Sequence, residues 1–343
     1  MPPAAPRPPG SRLPEVLARH WFVLGLAAVT LGTAVDPGGV PASAGLWLKA
    51  HRAPEIIVSA IFLFSGARLS LPEMRRGATD VRAIGLALGA IFVVAPALAW
   101  GLGLLPVSPG VRIGLFLVAA MPTTLSSGVV MTGAAGGSEA TALAITLVSN
   151  WAAVGTVPWT LEALLGAGRH LPPGALHKGA LALRIALLVV LPLCAGLALR
   201  PRLPRPVRRL LPRLGTVSQV LVLVMVWVGV AGSRSTLAAN PAALLPAVAI
   251  SVVFHGLMWA VLFPAVRLAR LGPGRREAVI FMGGQKTLPL SVLLQTLLFP
   301  AYGEALVVCV VHHLAHLVMD GYLVGRLAPR RAPAGLTEGA AAP

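Results

Sequence analysis

From Trp21 onward the chain alternates long apolar runs with short stretches rich in Pro, Gly and Arg. Ten runs fall near 21–35, 54–71, 83–105, 111–132, 139–165, 179–199, 215–232, 242–267, 277–298 and 304–325. Most have the roughly 20 residues that a helix needs to cross about 30 Å of hydrocarbon. The first is the shortest and ends in the turn-forming Asp36, Pro37, Gly38 and Gly39, so nine spans would also fit hydropathy alone. No polar stretch is long enough for a soluble domain. The pattern predicts an all-α integral membrane fold of ten transmembrane helices forming a single unit over 21–327. Residues 1–20 are Pro-rich and basic, and 328–343 are low in complexity, so both ends are expected to be disordered.

Two runs break their own pattern. The fourth carries Pro122, Thr123, Thr124, Ser126, Ser127 and Gly128 at its centre. The ninth contains FMGGQKTLPL, which sets Gly283, Gly284, Gln285, Lys286, Thr287 and Pro289 where lipid-facing residues would be apolar. Pro and Gly free backbone groups that hydrocarbon cannot satisfy, so such a segment survives only inside protein or beside a watery cavity. These are the fourth spans of the first and second five. Because five is odd, two matching halves lie in opposite orientations, the inverted-repeat plan of many secondary transporters. A pair of Pro-kinked helices whose Ser and Thr bond their own backbone is the simpler alternative. Interruption at corresponding places favours a transport site, with anions drawn to half-helix N-termini and cations to freed carbonyls.

Composition agrees: 56% of the 343 residues are hydrophobic and 11% charged, with a mean hydropathy of +0.82. The net charge of +17 would suggest nucleic acid in a soluble protein, but here the basic residues cluster between apolar runs. With ten spans and a cytoplasmic N-terminus, 20 of the 28 Lys and Arg fall on the cytoplasmic side and 7 outside, leaving Lys286 within a span. That asymmetry is what the positive-inside rule asks for, and it puts both termini in the cytoplasm. Nucleic acid is therefore excluded as a partner, and the Arg-rich stretch RPRLPRPVRRLLPRLG reads as a cytoplasmic loop. No cleavage site convincingly follows the first run. High Ala, Gly, Arg and Pro content suits a high-GC bacterium, so a multi-pass inner-membrane protein is expected. Cys194 and Cys309 both lie in apolar runs and read as buried hydrophobes.

The last run reads VVHHLAHLVMDGYL, placing His312, His316 and Asp320 on one helical face with His313 beside them. Histidines four apart can bind metal, yet no second ligand cluster accompanies them. Structural hydrogen bonding is expected first and a proton relay second, with no metal, no organic cofactor and no enzymatic activity. Glu55, Glu139 and Glu162 sit near span ends. Gln219, His255 and Gln295 are expected to make hydrogen bonds between helices.

The stretches MPTTLSSGVVMTGAAGGSEATAL and FMGGQKTLPL, with Ser65 and Gly66 in IFLFSGARLS and the His-rich last run, carry a resemblance. Over about 20–327 the chain resembles the bile acid:sodium symporter (SBF-like) superfamily. Within it the sequence is most similar to the branch of bacterial YfeH-like proteins and vertebrate solute carrier family 10 member 7. The resemblance implies a panel of spans 1, 2, 6 and 7 against a core of spans 3–5 and 8–10. Spans 4 and 9 would cross at their breaks, with alternating access carrying an organic anion coupled to sodium or protons. Membrane lipid and a small anionic solute are the implied partners. A different role follows from the vertebrate relatives' association with calcium handling, namely a membrane regulator of ion homeostasis.

In the symporters two sodium ions lie behind the crossing, held by hydroxyls and amides of spans 4 and 5 and by a Glu and a Gln of span 9. Aligning Gln285 with that glutamine puts Phe281 at the acidic ligand and Lys286 at a neutral amide. The site changes by about two charge units toward positive, and like charges about 4 Å apart repel by about 4 kcal/mol at an effective dielectric of 20. The expectation is that the Lys286 ammonium takes part of the cation site. Gln285, Thr287, Thr123, Thr124, Ser126 and Ser127 would hold it, with Ser149 and Asn150 as further oxygens. The alternative is a lysine that binds and releases a proton during transport.

Overall fold

The computed structural model describes residues 12–36, 39–167, 177–239, 242 and 244–328, and every regular element among them is a helix. In chain order these are α1 (Arg12–Val35), α2 (Val40–Ala50), α3 (Ala53–Arg68), α4 (Leu71–Ala78), α5 (Val81–Gly89), α6 (Ala95–Leu102), α7 (Pro109–Ala120), α8 (Ser127–Ala134) and α9 (Glu139–Ala167). There follow α10 (Lys178–Ile185), α11 (Leu191–Leu199), α12 (Arg205–Arg208), α13 (Leu214–Ala239), α14 (Leu244–Leu268), α15 (Arg275–Gly284), α16 (Leu288–Leu298) and α17 (Gly303–Leu327). The ten predicted runs fall mainly on helix, the fourth and ninth being interrupted at 121–126 and 285–287. A π-helical turn at Ala90–Val94 joins α5 to α6, and another at Ala186–Val190 joins α10 to α11.

Among the described residues, six stretches are long and apolar enough to cross a membrane unaided, and eight are if α1–α2 and α3–α4 each count as one bent span. The protein is therefore multi-pass. The fourth and ninth runs fall outside that count because each is broken: α7 stops at Ala120 before α8, and α15 stops at Gly284 before α16.

Two sequence expectations need adjustment. Residues 1–11 and 329–343 lie outside the described residues, but α1 already starts at Arg12, inside the segment expected to be loose. The turn after the first run leads into a further helix, α2. Asp36 accepts from the N–H groups of Gly39 (3.0 Å) and Ala42 (3.2 Å), and Gly39 takes a φ of +71° that glycine adopts without strain.

The helices pack in two groups. In the first, α3 lies along α11, and α13 packs against α1, α2 and α3. A Cβ on Gly66 would collide with the Leu193 carbonyl and one on Gly196 with the Leu63 carbonyl, so the backbones of α3 and α11 touch. Close approach through small residues is how membrane helices gain packing, since lipid offers no hydrophobic drive between them. In the second group, α17 lies against α7, α14 and α16, while α15 packs on α5, α8 and α14. Residues 277–296 are buried without a gap, so the ninth run is enclosed by protein rather than lipid.

At the Arg-rich ends of the helices, Asp80 caps α5 through the Ala83 N–H (3.2 Å) and pairs with Arg275 at the start of α15. Burial alone would raise the Asp80 carboxyl. The bonds from Arg275 and Ala83 and the charges of Arg275 and Arg82 outweigh it, holding the group below the usual carboxylate range.

Two predictions follow from this packing. Gly66→Val should lower the melting temperature of the detergent-purified protein by the equivalent of about 1–3 kcal/mol or more. Gly85→Val, where a Cβ meets nothing within 4 Å, should leave it nearly unchanged. Because the folded Asp80 value lies below the unfolded one, its contribution is present above the ordinary carboxylate value of about 4 and is lost as pH falls through the folded value. Asp80→Asn should therefore lower stability at neutral pH and flatten the fall on the acid side, as read from melting temperatures across pH.

Candidate transport site

The two breaks meet. α7 ends where Pro122 removes the next N–H donor, and Met121 turns out of the helix with φ −73° and ψ 148°. α15 ends at Gly284, followed by an extended Gln285, and α16 begins after Thr287 with Pro289 in its first turn, where proline suits a helix start. The Thr287 N–H donates to the Pro122 carbonyl at 3.0 Å, joining the two breaks through their backbones. Gly128 allows the approach of α8, since a Cβ there would lie 2.6 Å from Met282 Sδ. Gly283 and Gly284 face Leu262 and His255 at closer to ordinary distances.

Gln285, fully buried, is the hub of the polar network. Its Oε1 accepts from Thr124 (3.1 Å) and Ser127 (3.0 Å), and the Thr124 oxygen in turn accepts from the Gly128 N–H. Its Nε2 donates to Asp320 Oδ2 at 2.7 Å. Asp320 Oδ1 also accepts from Trp259 Nε1 (3.1 Å) and pairs with His255 Nε2 (3.0 Å), both on α14. Phe281 is buried in the apolar core, and the carboxylate of the crossing arrives from α17.

Lys286 is where the arrangement departs most from expectation. Its ammonium does not bond the side chains of Gln285, Thr123, Thr124, Ser126, Ser127 or Thr287. It donates to three backbone carbonyls, of Ile91 (2.8 Å), Ala119 (3.1 Å) and Met121 (3.1 Å). Ser149 bonds back to the Thr146 carbonyl of its own helix. Asn150 Nδ2 bonds the Thr146 carbonyl at 2.8 Å and reaches the Thr123 carbonyl at 3.4 Å. Thr146 Oγ1 reaches the Thr124 carbonyl at 3.5 Å. Thr123 Oγ1 and Asn150 Oδ1 are buried without a protein hydrogen-bond partner, so unused oxygens gather behind the first break.

The predicted polar face of α17 is buried, with His312, His316 and Asp320 all at most 2% exposed. His316 bonds His313 at 2.8 Å. Rings of His255, His312 and His316 pack with centroids 5.6–5.9 Å apart, at tilted or edge-on angles. Of the other span residues, His255 links α14 to α17, while Gln295 caps the end of α16 through the Phe299 and Tyr302 carbonyls. Sequence reasoning missed Trp259; its spacing of four from His255 on one face of an apolar helix was the available signal.

A cavity of about 80 Å³ lies at the crossing. One wall is Phe22, Ile61, Phe62, Ser65, Ser218 and Gln219 of the first helix group; the other is Thr124–Ser127, Thr287–Pro289 and His313. Its polar floor is thus the N-terminal ends of α8 and α16. A larger cavity of about 660 Å³ shares Phe22, Ser126, Ser127 and Gln219 and runs to Arg68 and Pro212 at the Arg-rich end. Glu139 lines a side pocket there with Arg68, Glu73 and Ser126. At the opposite end Ser108 donates to Glu304 at 2.6 Å, and Gly114 lets α7 close on Ala305 and Val308 of α17.

Helices broken at membrane depth, facing each other across a polar centre, define a membrane transport protein. The chain belongs to the SBF-like CPA transporter family, whose sequence model matches residues 20–329. It is 30% identical over 322 residues to a probable sodium/metabolite cotransporter, BASS4, of Arabidopsis thaliana chloroplasts, covering 88% of this chain and 69% of that one. It is 23% identical over 321 residues to sodium/bile acid cotransporter 7-B of Xenopus laevis, covering 90% and 92%. A Pseudomonas aeruginosa protein is 27% identical over 328 residues, covering 93% and 95%. The family and these named cotransporters are transporters rather than enzymes.

Asp320→Ala should strand the donors of His255, Trp259 and Gln285 in the core. Each stranded donor costs about 1–3 kcal/mol, so the variant is expected to melt far below the parent protein in a detergent thermal scan.

Proposed function

We propose that this protein is a secondary transporter that carries a small organic anion across the bacterial inner membrane by alternating access, driven by a cation gradient. The observation that carries this reading is the cavity at the crossing, floored by the N-terminal ends of both α8 and α16. Two helix N-termini direct their positive dipole ends to one space, which suits a carboxylate, sulfonate or phosphate group. Ser126, Ser127 and Thr287 supply short polar side chains there, and Phe22, Ile61 and Phe62 supply an apolar wall for the rest of the solute.

In this reading the chain makes ten spans in two inverted halves, with the first helix group as panel and the second as core. The wide cavity at the Arg-rich end corresponds to an inward-open state, with that end in the cytoplasm by the positive-inside rule. The relatives' names support sodium as the coupling ion. The buried free oxygens of Thr123 and Asn150, beside the Thr123 and Thr124 carbonyls, are the oxygen donors a sodium ion would use. Gln285 and Asp320 then link that ion's surroundings to the solute cavity.

The test is uptake into proteoliposomes of a panel of labelled organic anions under an imposed sodium gradient, with potassium and proton gradients alongside. Sodium-driven accumulation, lost in Thr124→Val/Ser127→Ala, supports the reading. Equal uptake under all gradients sinks the coupling, and no uptake of any anion sinks the substrate class. Sodium should also stabilise the purified protein, by about 2.7 kcal/mol at a hundredfold excess over Kd, and Asn150→Leu should remove that effect.

A further inference from the structure

Three backbone carbonyls converge on the Lys286 ammonium, and each is free for a reason visible in the sequence. Within the π turn, the Ala95 N–H donates to Ala90 rather than to Ile91. The next donor in that register would be residue 96, which is proline and has no N–H, so the Ile91 carbonyl has no helical partner. Ala119 and Met121 stand at the end of α7, where the last carbonyls of any helix lose their partners and Pro122 supplies none. Pro96 and Pro122 thus open a cage of three oxygens at membrane depth, one from the α5–α6 span and two from the end of α7.

Such a cage is a cation site by construction. Carbonyl oxygens at a helix C-terminus carry the negative end of the helix dipole, and convergent carbonyls are how channel filters hold dehydrated potassium ions. The occupant in this chain is covalently attached: an ammonium has three N–H donors, and all three are used, at 2.8, 3.1 and 3.1 Å. Lys286 is 2% exposed, so it does not reach water. A lysine held only for packing would not need three acceptors freed by two prolines on two separate spans.

We propose that the Ile91–Ala119–Met121 cage is a monovalent-cation site permanently filled by the Lys286 ammonium, and that it takes up a free ammonium-sized cation when that side chain is cut back. This deepens the transporter reading and rests on it in one respect: the exchangeable coupling ion must then bind elsewhere, on the Thr123 and Asn150 side of the crossing. The cage itself is testable without any transport.

The experiment is the melting temperature of full-length protein and Lys286→Ala in detergent, at equal concentrations of choline, sodium, potassium, ammonium and methylammonium chloride. In choline the variant should melt well below the parent. Ammonium, methylammonium or potassium should raise it saturably by several degrees while leaving the parent unmoved. Lys286→Met, which fills the space with an apolar chain, should be destabilised and not rescued by any of them. A Lys286→Ala protein that melts alike in all five salts, or that never folds in any, overturns the proposal. So does Lys286→Gln as stable as the parent, because hydrogen bonds without charge would then suffice. Failure of anion uptake with cation rescue intact would sink the transport reading and spare the cage.

Discussion

The hydrogen bond from Thr287 N–H to the Pro122 carbonyl is the contact around which this molecule is arranged. Each broken helix on its own leaves polar backbone at membrane depth, where an unsatisfied group costs several kcal/mol. Bringing the two breaks together lets each answer part of the other's deficit, and the requirement propagates outward. The breaks must be shielded from lipid, so α15 and α16 are buried along their facing length and α7 is buried from Ile113 onward. Other helices must then form the shield, which is the arrangement of α5, α6, α9, α14 and α17 around the crossing.

Charge at the crossing follows the same logic. One buried cation, Lys286, sits among acceptors only, and one buried anion, Asp320, sits among donors. Gln285 stands between the anion and the first break, and its amide has one orientation consistent with both neighbours. A carboxylate only accepts, so Nε2 faces Asp320 and Oε1 faces Thr124 and Ser127. Those hydroxyls consequently point their protons toward Gln285, and the Thr124 oxygen accepts from the Gly128 N–H. The buried carboxylate bonded to Gln285 comes from the tenth run, as Asp320.

What could be read from the sequence divides along physical lines. The apolar runs and both breaks were legible because hydrocarbon imposes length and polarity directly on residue type. Helix α2 was not, since its 11 residues are too few to cross the membrane alone and they follow a turn that ends the preceding run. Gln285, Thr124 and Ser127 were expected around the Lys286 ammonium; they bond one another and Asp320 instead, and Lys286 bonds backbone carbonyls. Backbone carbonyls have no letter in a sequence; their freedom shows only indirectly, through Pro96 and Pro122. Asp320 was visible as a polar residue on a helical face, but its reach to Gln285 depends on how α17 packs beside α15, which no local pattern encodes.

The distribution of directional bonds bears on how such a molecule moves. Arg200 with the Arg68 carbonyl and Trp227 with the Pro41 carbonyl lie within the first helix group, while α10 is tied both to it, by Arg184 with Glu55, and to α9, by Lys178 with Glu162 at the solvent-facing ends. Asp80 with Arg275, Ser108 with Glu304, and the whole Asp320–Gln285–Thr124 network lie within the second. The surfaces that face each other across the cavity are largely apolar, contributed by Phe22, Ile61, Phe62 and Val222 on one side and Leu125, Leu288 and Leu317 on the other. Apolar contact is non-directional and changes little in free energy as packed surfaces slide. A displacement of one group along the other would therefore leave the polar centre intact while changing which end of the cavity is open.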